Sequence, residues 1–185
     1  MKLYRCAIAL VLCGAAGLLA GCGTPSQSLN MALPAGEALQ LRGFMPEPLR
    51  GQVMLETVRG GNETSVWWGS RVSSLSLQNA LEDSLRAVGL WAMSQQGARY
   101  QLQAELLSLV QPLVALDTTV TATVHYRLLE AGSGKTLYER SVRAAYKAEF
   151  GDAMLSQPER LRLANEGAVR QTVNLMLRDL PNLPL

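Results

Sequence analysis

The sequence predicts an α+β fold: a two-layer sandwich in which a mainly antiparallel sheet carries two helices packed on one face. Three patterns lead there. Residues 100–106 and 119–129 alternate apolar and polar side chains with the period of a half-buried strand. Two other stretches, around Leu77 to Val88 and Leu161 to Leu180, repeat apolar residues at spacings of three and four, as helices lying on a sheet do. The order along the chain is strand, helix, three or so strands, helix, which suits two packed layers around one core.

Residues 1–21 read as an export signal. Lys2 and Arg5 form a positive start, an apolar run follows from about Ala7 to Ala20, and small residues precede a cut. The run is shorter than the roughly 20 apolar residues that a spanning helix needs. Leu19-Ala20-Gly21-Cys22 resembles the lipobox of bacterial lipoproteins. The resemblance implies that the Cys22 thiol takes a diacylglycerol, that cleavage falls before Cys22, and that the new amine gains a further acyl chain such as palmitate. One chain binds a membrane reversibly, whereas two or more hold. In that family an Asp after the cysteine retains the protein on the inner membrane. Gly23 stands in that place and implies the outer membrane, with the domain facing the periplasm. The alternative is a soluble secretory signal with a chance cysteine at its end.

Cleavage changes the composition. Of 185 residues 164 remain, and the loss of Lys2 and Arg5 leaves 15 Lys+Arg against 15 Asp+Glu. The formal net charge falls from +2 to zero, so charge offers no reason to expect nucleic-acid binding. Cys6 and Cys13 leave with the signal and Cys22 is taken by lipid, so no disulfide can form within one mature chain. Stability must come from a packed core, for which a single domain with 48% apolar residues in the full chain is sufficient.

Residues 22–50 read as the lipidated Cys22 and a flexible tether, and 51–185 as a single α+β periplasmic domain. Pro25, Pro34, Pro46 and Pro48, with Gly23, Gly36 and Gly43, break any period in the tether. A coil of that length averages roughly 30 Å end to end and lifts the domain off the membrane. Within it Leu39-Gln40-Leu41 alternates briefly, as a docked edge strand would. The domain opens with a strand at 52–58 that Arg59-Gly60-Gly61-Asn62 punctuates. Ser74 or Ser76 caps the first helix, Leu77, Leu81, Leu85 and Val88 form its apolar line, and Gly89 stops it.

The next block is β. Tyr100, Leu102, Ala104 and Leu106 share one face, with Gln101, Gln103 and Glu105 on the other, and Pro112 ends or interrupts the strand. Val120, Ala122, Val124, Tyr126 and Leu128 point inward, and Thr119, Thr121, Thr123, His125 and Arg127 outward. Gly132-Ser133-Gly134-Lys135 makes a turn, and 136–146 returns as a hairpin partner. The last helix starts at Ser156-Gln157-Pro158-Glu159, a capping box with proline in the first turn. Leu161, Ala164, Ala168, Val169, Val173, Leu175, Met176 and Leu180 form its broad apolar side. Glu159, Arg162, Glu166, Arg170 and Asn174 run along the opposite side, where Glu166 can pair with Arg170. Gly167, costing about 1 kcal/mol relative to Ala in a helix, implies close helix–sheet packing. Pro181 and Pro184 end the helix.

No catalytic or metal-binding constellation emerges from these elements. Gly134-Lys135-Thr136 resembles the tail of a phosphate-binding loop, but Leu129 stands where that motif needs Gly, and a strand rather than a helix follows. His125 is the only histidine, and no mature cysteine is free to join it at a zinc site. Glu82, Asp83 and Asp117 are carboxylates of the kind that sugar chemistry pairs, but on helix and loop surfaces. Two candidate partner surfaces remain. Trp67 and Trp68 either present an indole to a partner or close the end of the core. The outward row with Thr121, Thr123, His125 and Arg127 either receives a partner or is simply solvated.

The element order, the lipobox and the closing helix together resemble small outer-membrane lipoproteins of the lipopolysaccharide-assembly type and auxiliary lipoproteins of ABC-type or MCE-type lipid transport. The segment 160–170 also resembles one in uncharacterised proteobacterial lipoproteins. The resemblance implies a non-enzymatic accessory or binding component in cell-envelope assembly or lipid or lipopolysaccharide transport. It would be anchored through Cys22, need no cofactor, and bind an envelope protein or amphiphile. The alternative is an envelope enzyme acting on a saccharide or lipid through carboxylates that the sequence does not place; a pocket gathering two perturbed carboxylates would favour it.

Overall fold

The computed structural model describes residues 25–62, 70–94, 96–112, 117–154 and 156–184. Cys22, Trp67 and Trp68 lie outside them. Among the described residues two short helices, α1 (Ser28–Met31) and α2 (Ala35–Arg42), come first. Strand β1 (Val53–Arg59) is flanked by Gly51 and Gly60, whose φ values of +62° and +84° lie in the left-handed region. Helix α3 (Ser74–Ala87) follows, then β2 (Tyr100–Val110), β3 (Thr118–Glu130), β4 (Thr136–Ala148) and helix α4 (Gln157–Asp179).

The sheet order is β1-β2-β3-β4. Helix α3 lies between β1 and β2 in the chain, and such a crossover allows the parallel pairing they make. The β2–β3 and β3–β4 pairs are antiparallel. All nine residues expected to point inward from β2 and β3 are buried. The alternation is thus a property of the burial and not only of the spelling.

Helix α3 begins one residue earlier than expected. Ser73, not Ser74 or Ser76, is the cap; it accepts from the Ser76 N–H, while the Ser76 hydroxyl accepts from the Ser73 N–H. At the other end Gly89 adopts φ +77°. The Leu90 N–H then reaches the Leu85 carbonyl at 2.9 Å and the Gly89 N–H the Arg86 carbonyl at 3.0 Å, so the last turn's orphan carbonyls are satisfied. Helix α4 starts where expected, with Ser156 accepting from the Glu159 N–H, but the capping box is only half made, because the Glu159 carboxylate turns to Arg162. A methyl group at Gly167 would stand 2.3 Å from the Tyr146 ring, so helix and sheet meet at glycine contact. Leu175, assigned above to the apolar side, is 40% exposed.

The flexible tether is corrected. Residues 26–50 are folded onto the domain, and Met31, Leu33, Ala38, Leu41, Met45 and Leu49 are buried in its core. The chain runs as a strap over the two long helices. The Leu33 N–H donates to the buried Ser84 hydroxyl of α3, and the Arg170 guanidinium of α4 donates to the Asn30 carbonyl. The prolines do not loosen it. Pro34 and Pro46 occupy the cap positions before α2 and before the 3₁₀ turn Glu47–Leu49, dividing the strap into pieces too short to show a period. Leu39-Gln40-Leu41 lies in α2 rather than in an edge strand.

The strap also corrects the polar side of α4. Glu166 and Arg162 are buried beneath it, and Glu166 pairs with Arg162 at 2.7 Å rather than with Arg170. Elsewhere in the core the Tyr126 hydroxyl lies 3.0 Å from that of Thr172, which donates to the Val169 carbonyl. Burial pushes the Tyr126 phenol well above its ordinary pKa and keeps it a neutral donor. Thr172→Val is expected to cost about 1–3 kcal/mol by orphaning that hydroxyl, and Tyr126→Phe about 1 kcal/mol. Urea unfolding of the two variants checks the order, which equal losses would contradict. Among the described residues no helix is long and apolar enough to cross a membrane.

Candidate functional site

Helices and strap cover one face of the sheet, and the other face is open. The strand registers assemble its polar side chains into two parallel rows. One row is Arg59, Glu105, His125 and Ser141; the next is Thr57, Gln103, Arg127 and Glu139. Period-two alternation sends every member outward, and adjacent strands lie about 4.8 Å apart, within reach of long side chains. Between the rows lies a shallow groove of about 320 Å³ lined by Thr57, Arg59, Gln103, Glu105, His125, Arg127 and Glu139.

Glu139 is the hub of the groove. Its Oε1 lies 3.2 Å from His125 Nε2 and 3.4 Å from Arg127 Nε, while His125 Nδ1 meets the Ser141 hydroxyl at 3.0 Å. The ring is therefore oriented from both nitrogens. Gln103 reaches Glu56 at 2.7 Å. Arg59 and Arg127 balance Glu105 and Glu139, so the groove offers alternating donors and acceptors instead of a field of one sign. That arrangement suits a polar partner that can hydrogen-bond to several strands at once.

Thr121, Thr123, His125 and Arg127 all occupy the open face, half-buried between neighbouring strands. His125 and Arg127 line the groove; Thr121 and Thr123 continue the same row of β3. The partners Arg59, Glu105, Glu139 and Ser141 were not singled out. A turn centred near Ser133 places Ser141 opposite His125 and Glu139 opposite Arg127, so counting outward from the hairpin finds those two. Arg59 and Glu105 needed the parallel register of β1.

The other sequence candidates are engaged elsewhere. Glu82 and Asp83 both pair with Arg86, at 2.9 and 3.2 Å, on the surface of α3. Asp117 pairs with Lys147 at 2.7 Å and accepts from the Phe150 N–H, and the lysine contact chiefly holds its carboxyl below the ordinary range. Gly134 and Lys135 close the β3–β4 hairpin, with the Glu130 N–H donating to the Lys135 carbonyl. Among the described residues no group of three His, Cys, Asp or Glu side chains is placed to hold a metal.

Known structures share this architecture. A candidate lipoprotein from Caulobacter crescentus CB15 matches with a TM-score of 0.50 at 16% identity, covering 80% of this chain and 93% of its own. A Xanthomonas campestris protein of the DUF330 family matches with a TM-score of 0.52 at 14% identity, covering 74% of this chain and 89% of its own. A minor lipoprotein from Acinetobacter baumannii is similar at 17% identity and a TM-score of 0.49, over 74% of this chain and 97% of its own. At these identities the first two likenesses show the fold. No family model and no curated protein matches the sequence.

Proposed function

We propose that this chain is a lipid-anchored envelope protein that binds a partner and does not turn over a substrate. It is acylated at Cys22, held on the outer membrane, and serves envelope assembly or lipid or lipopolysaccharide transport from the periplasmic side. The observation that carries the binding role is the open sheet face. Two registered rows of polar side chains form a groove there, while the opposite face of the sheet is covered by the helices and the strap. Its one histidine is held between Ser141 and Glu139, and Glu139 is shared with Arg127, so the carboxylate is committed to the side chains beside it. The anchoring role draws support from the lipobox-like Leu19-Ala20-Gly21-Cys22 and from a fold shared with one candidate lipoprotein.

A photoreactive residue at Thr123, in the lipidated protein in intact envelopes, tests the surface. The expected result is a specific crosslinked partner that disappears when Arg59 and Arg127 are both changed to Glu, in a protein that still unfolds cooperatively at its usual temperature. The same probe at Trp67 or Trp68 compares the other candidate surface. A partner captured only from Trp67 or Trp68, or from no site, removes the sheet face from consideration.

A further inference from the structure

The strap fixes how close the domain sits to its anchor. Ser26 is buried, its N–H donating to the Arg71 carbonyl and its hydroxyl 3.3 Å from that of Ser70. The next residue is held as firmly, because the Gln27 N–H donates to the buried Glu166 carboxylate at 2.7 Å. Ser70 in turn accepts, through its carbonyl, from Asn165 and Gln111. Four residue steps separate Cys22 from Ser26, and an extended chain spans at most about 3.6 Å per step, or roughly 14 Å. A polar headgroup layer is about 5–8 Å deep, half the difference between the whole bilayer and its hydrocarbon core. Acyl chains on Cys22 therefore leave at most about 6–9 Å of fully extended chain between the headgroups and the domain.

Resting on the anchoring reading above, we propose that the end of the domain around Ser26 lies directly against the phospholipid surface, with the β3–β4 hairpin pointing away. The parallel β1–β2 pair brings the close of β1 to this end together with the close of β2, the start of β3, the close of β4 and the start of α4. Val110, Phe150 and Met154 project there, at 60%, 41% and 61% exposure. Arg160 lies over the Phe150 ring at 5.1 Å, an aromatic and cation pairing suited to the boundary between headgroups and acyl chains. Exposure alone does not choose this end, since Phe44 and Met93 are exposed elsewhere. The short leash chooses it. Asp117 and Lys147 neutralise each other beside it, and the exposed Glu149 and Asp152 flank Phe150, so anionic headgroups are not what draws this end to the surface.

The opposite end is far off. Strand β3 has 13 residues, which at about 3.3 Å per residue places the hairpin turn roughly 40 Å from the membrane. In the lipidated full protein, reconstituted in phosphatidylethanolamine and phosphatidylglycerol vesicles, a fluorophore on Gly151→Cys or on Ser133→Cys can be quenched by lipids that carry a spin label at the headgroup. Quenching is expected to be several-fold stronger at position 151 than at 133, and unchanged in vesicles of phosphatidylcholine alone. A Gly/Ser insert of about twelve residues after Thr24, adding roughly 20 Å of coil, is expected to abolish most of the difference. Equal quenching at the two positions, stronger quenching at 133, or indifference to the insert overturns the proposal. Mass spectrometry of the same preparation separates the two failures. An unacylated Cys22 overturns the anchoring reading and this one with it, whereas an acylated Cys22 with equal quenching overturns only the orientation.

Discussion

Arg162→Met is expected to cost about 3–5 kcal/mol, because it leaves the Glu166 carboxylate buried without its cation. Arg162 and Glu166 are 7% and 1% exposed, and their 2.7 Å bond lies under the strap. Arg162 also makes a two-pronged contact with Glu159 through Nε and Nη2. Bonds of this fork chiefly hold the Glu159 carboxyl below its ordinary pKa, against desolvation that raises it. A depressed carboxylate stabilises the fold above its unfolded value of about 4.3, and that contribution is lost as pH falls through the folded value. The variant should therefore melt roughly 10 °C lower near neutral pH and show a shallower loss of stability below about pH 4. Thermal melts at several pH values measure both. Glu166→Leu is a different lesion: it orphans the Gln27 N–H and the Asn30 amide and should free the strap, exposing residues 26–50 to protease before the sheet unfolds. A loss below about 1 kcal/mol for Arg162→Met would mean that the pair is hydrated and that the strap does not seal it.

Gly167→Ala should be destabilising by about 1–3 kcal/mol although alanine is the better helix former by roughly 1 kcal/mol. The added methyl would stand 2.3 Å from Cγ and Cδ1 of Tyr146, and atoms so near the root of a ring cannot withdraw without rotating the whole side chain. That rotation also breaks the stacking of Arg170 on the ring, at 5.6 Å. Removing the ring should reverse the sign. In a Tyr146→Ala background, Gly167→Ala is expected to stabilise by up to about 1 kcal/mol, the propensity term alone. Urea denaturation of the four proteins forms a double-mutant cycle. If Gly167→Ala stabilises the protein while Tyr146 is present, helix and sheet do not meet at that contact.

What could be read along the chain had local causes. Strand alternation in 100–106 and 119–129 requires only that one face be dry and the other wet, and it predicted the open face with His125 and Arg127. The hairpin required only its glycine turn, from which the neighbours Glu139 and Ser141 follow by counting. Gly89 and Ser156 act within one turn of their helices. Arg59 and Glu105 were harder, because the parallel pairing of β1 depends on how a crossover helix lies and leaves no mark at either residue.

By itself the sequence determined the two layers, the inward residues of β2 and β3, the glycine stop of α3, the serine start of α4 and the close packing at Gly167, since each follows from spacing among near neighbours. Only the tertiary structure decided the strap and what lies beneath it. Glu166 and Gln27 are 139 positions apart, and a charged row on a helix has the same spelling whether water or another segment covers it. Pro34 and Pro46 likewise read as breaks until the docked chain shows them starting new turns. Burial of Met31, Met45 and Leu49 stabilises the strap by roughly 1.5–3 kcal/mol for each side chain. That gain exists only where α3 and α4 already offer a groove, which is why a stretch that reads as a spacer is part of the core.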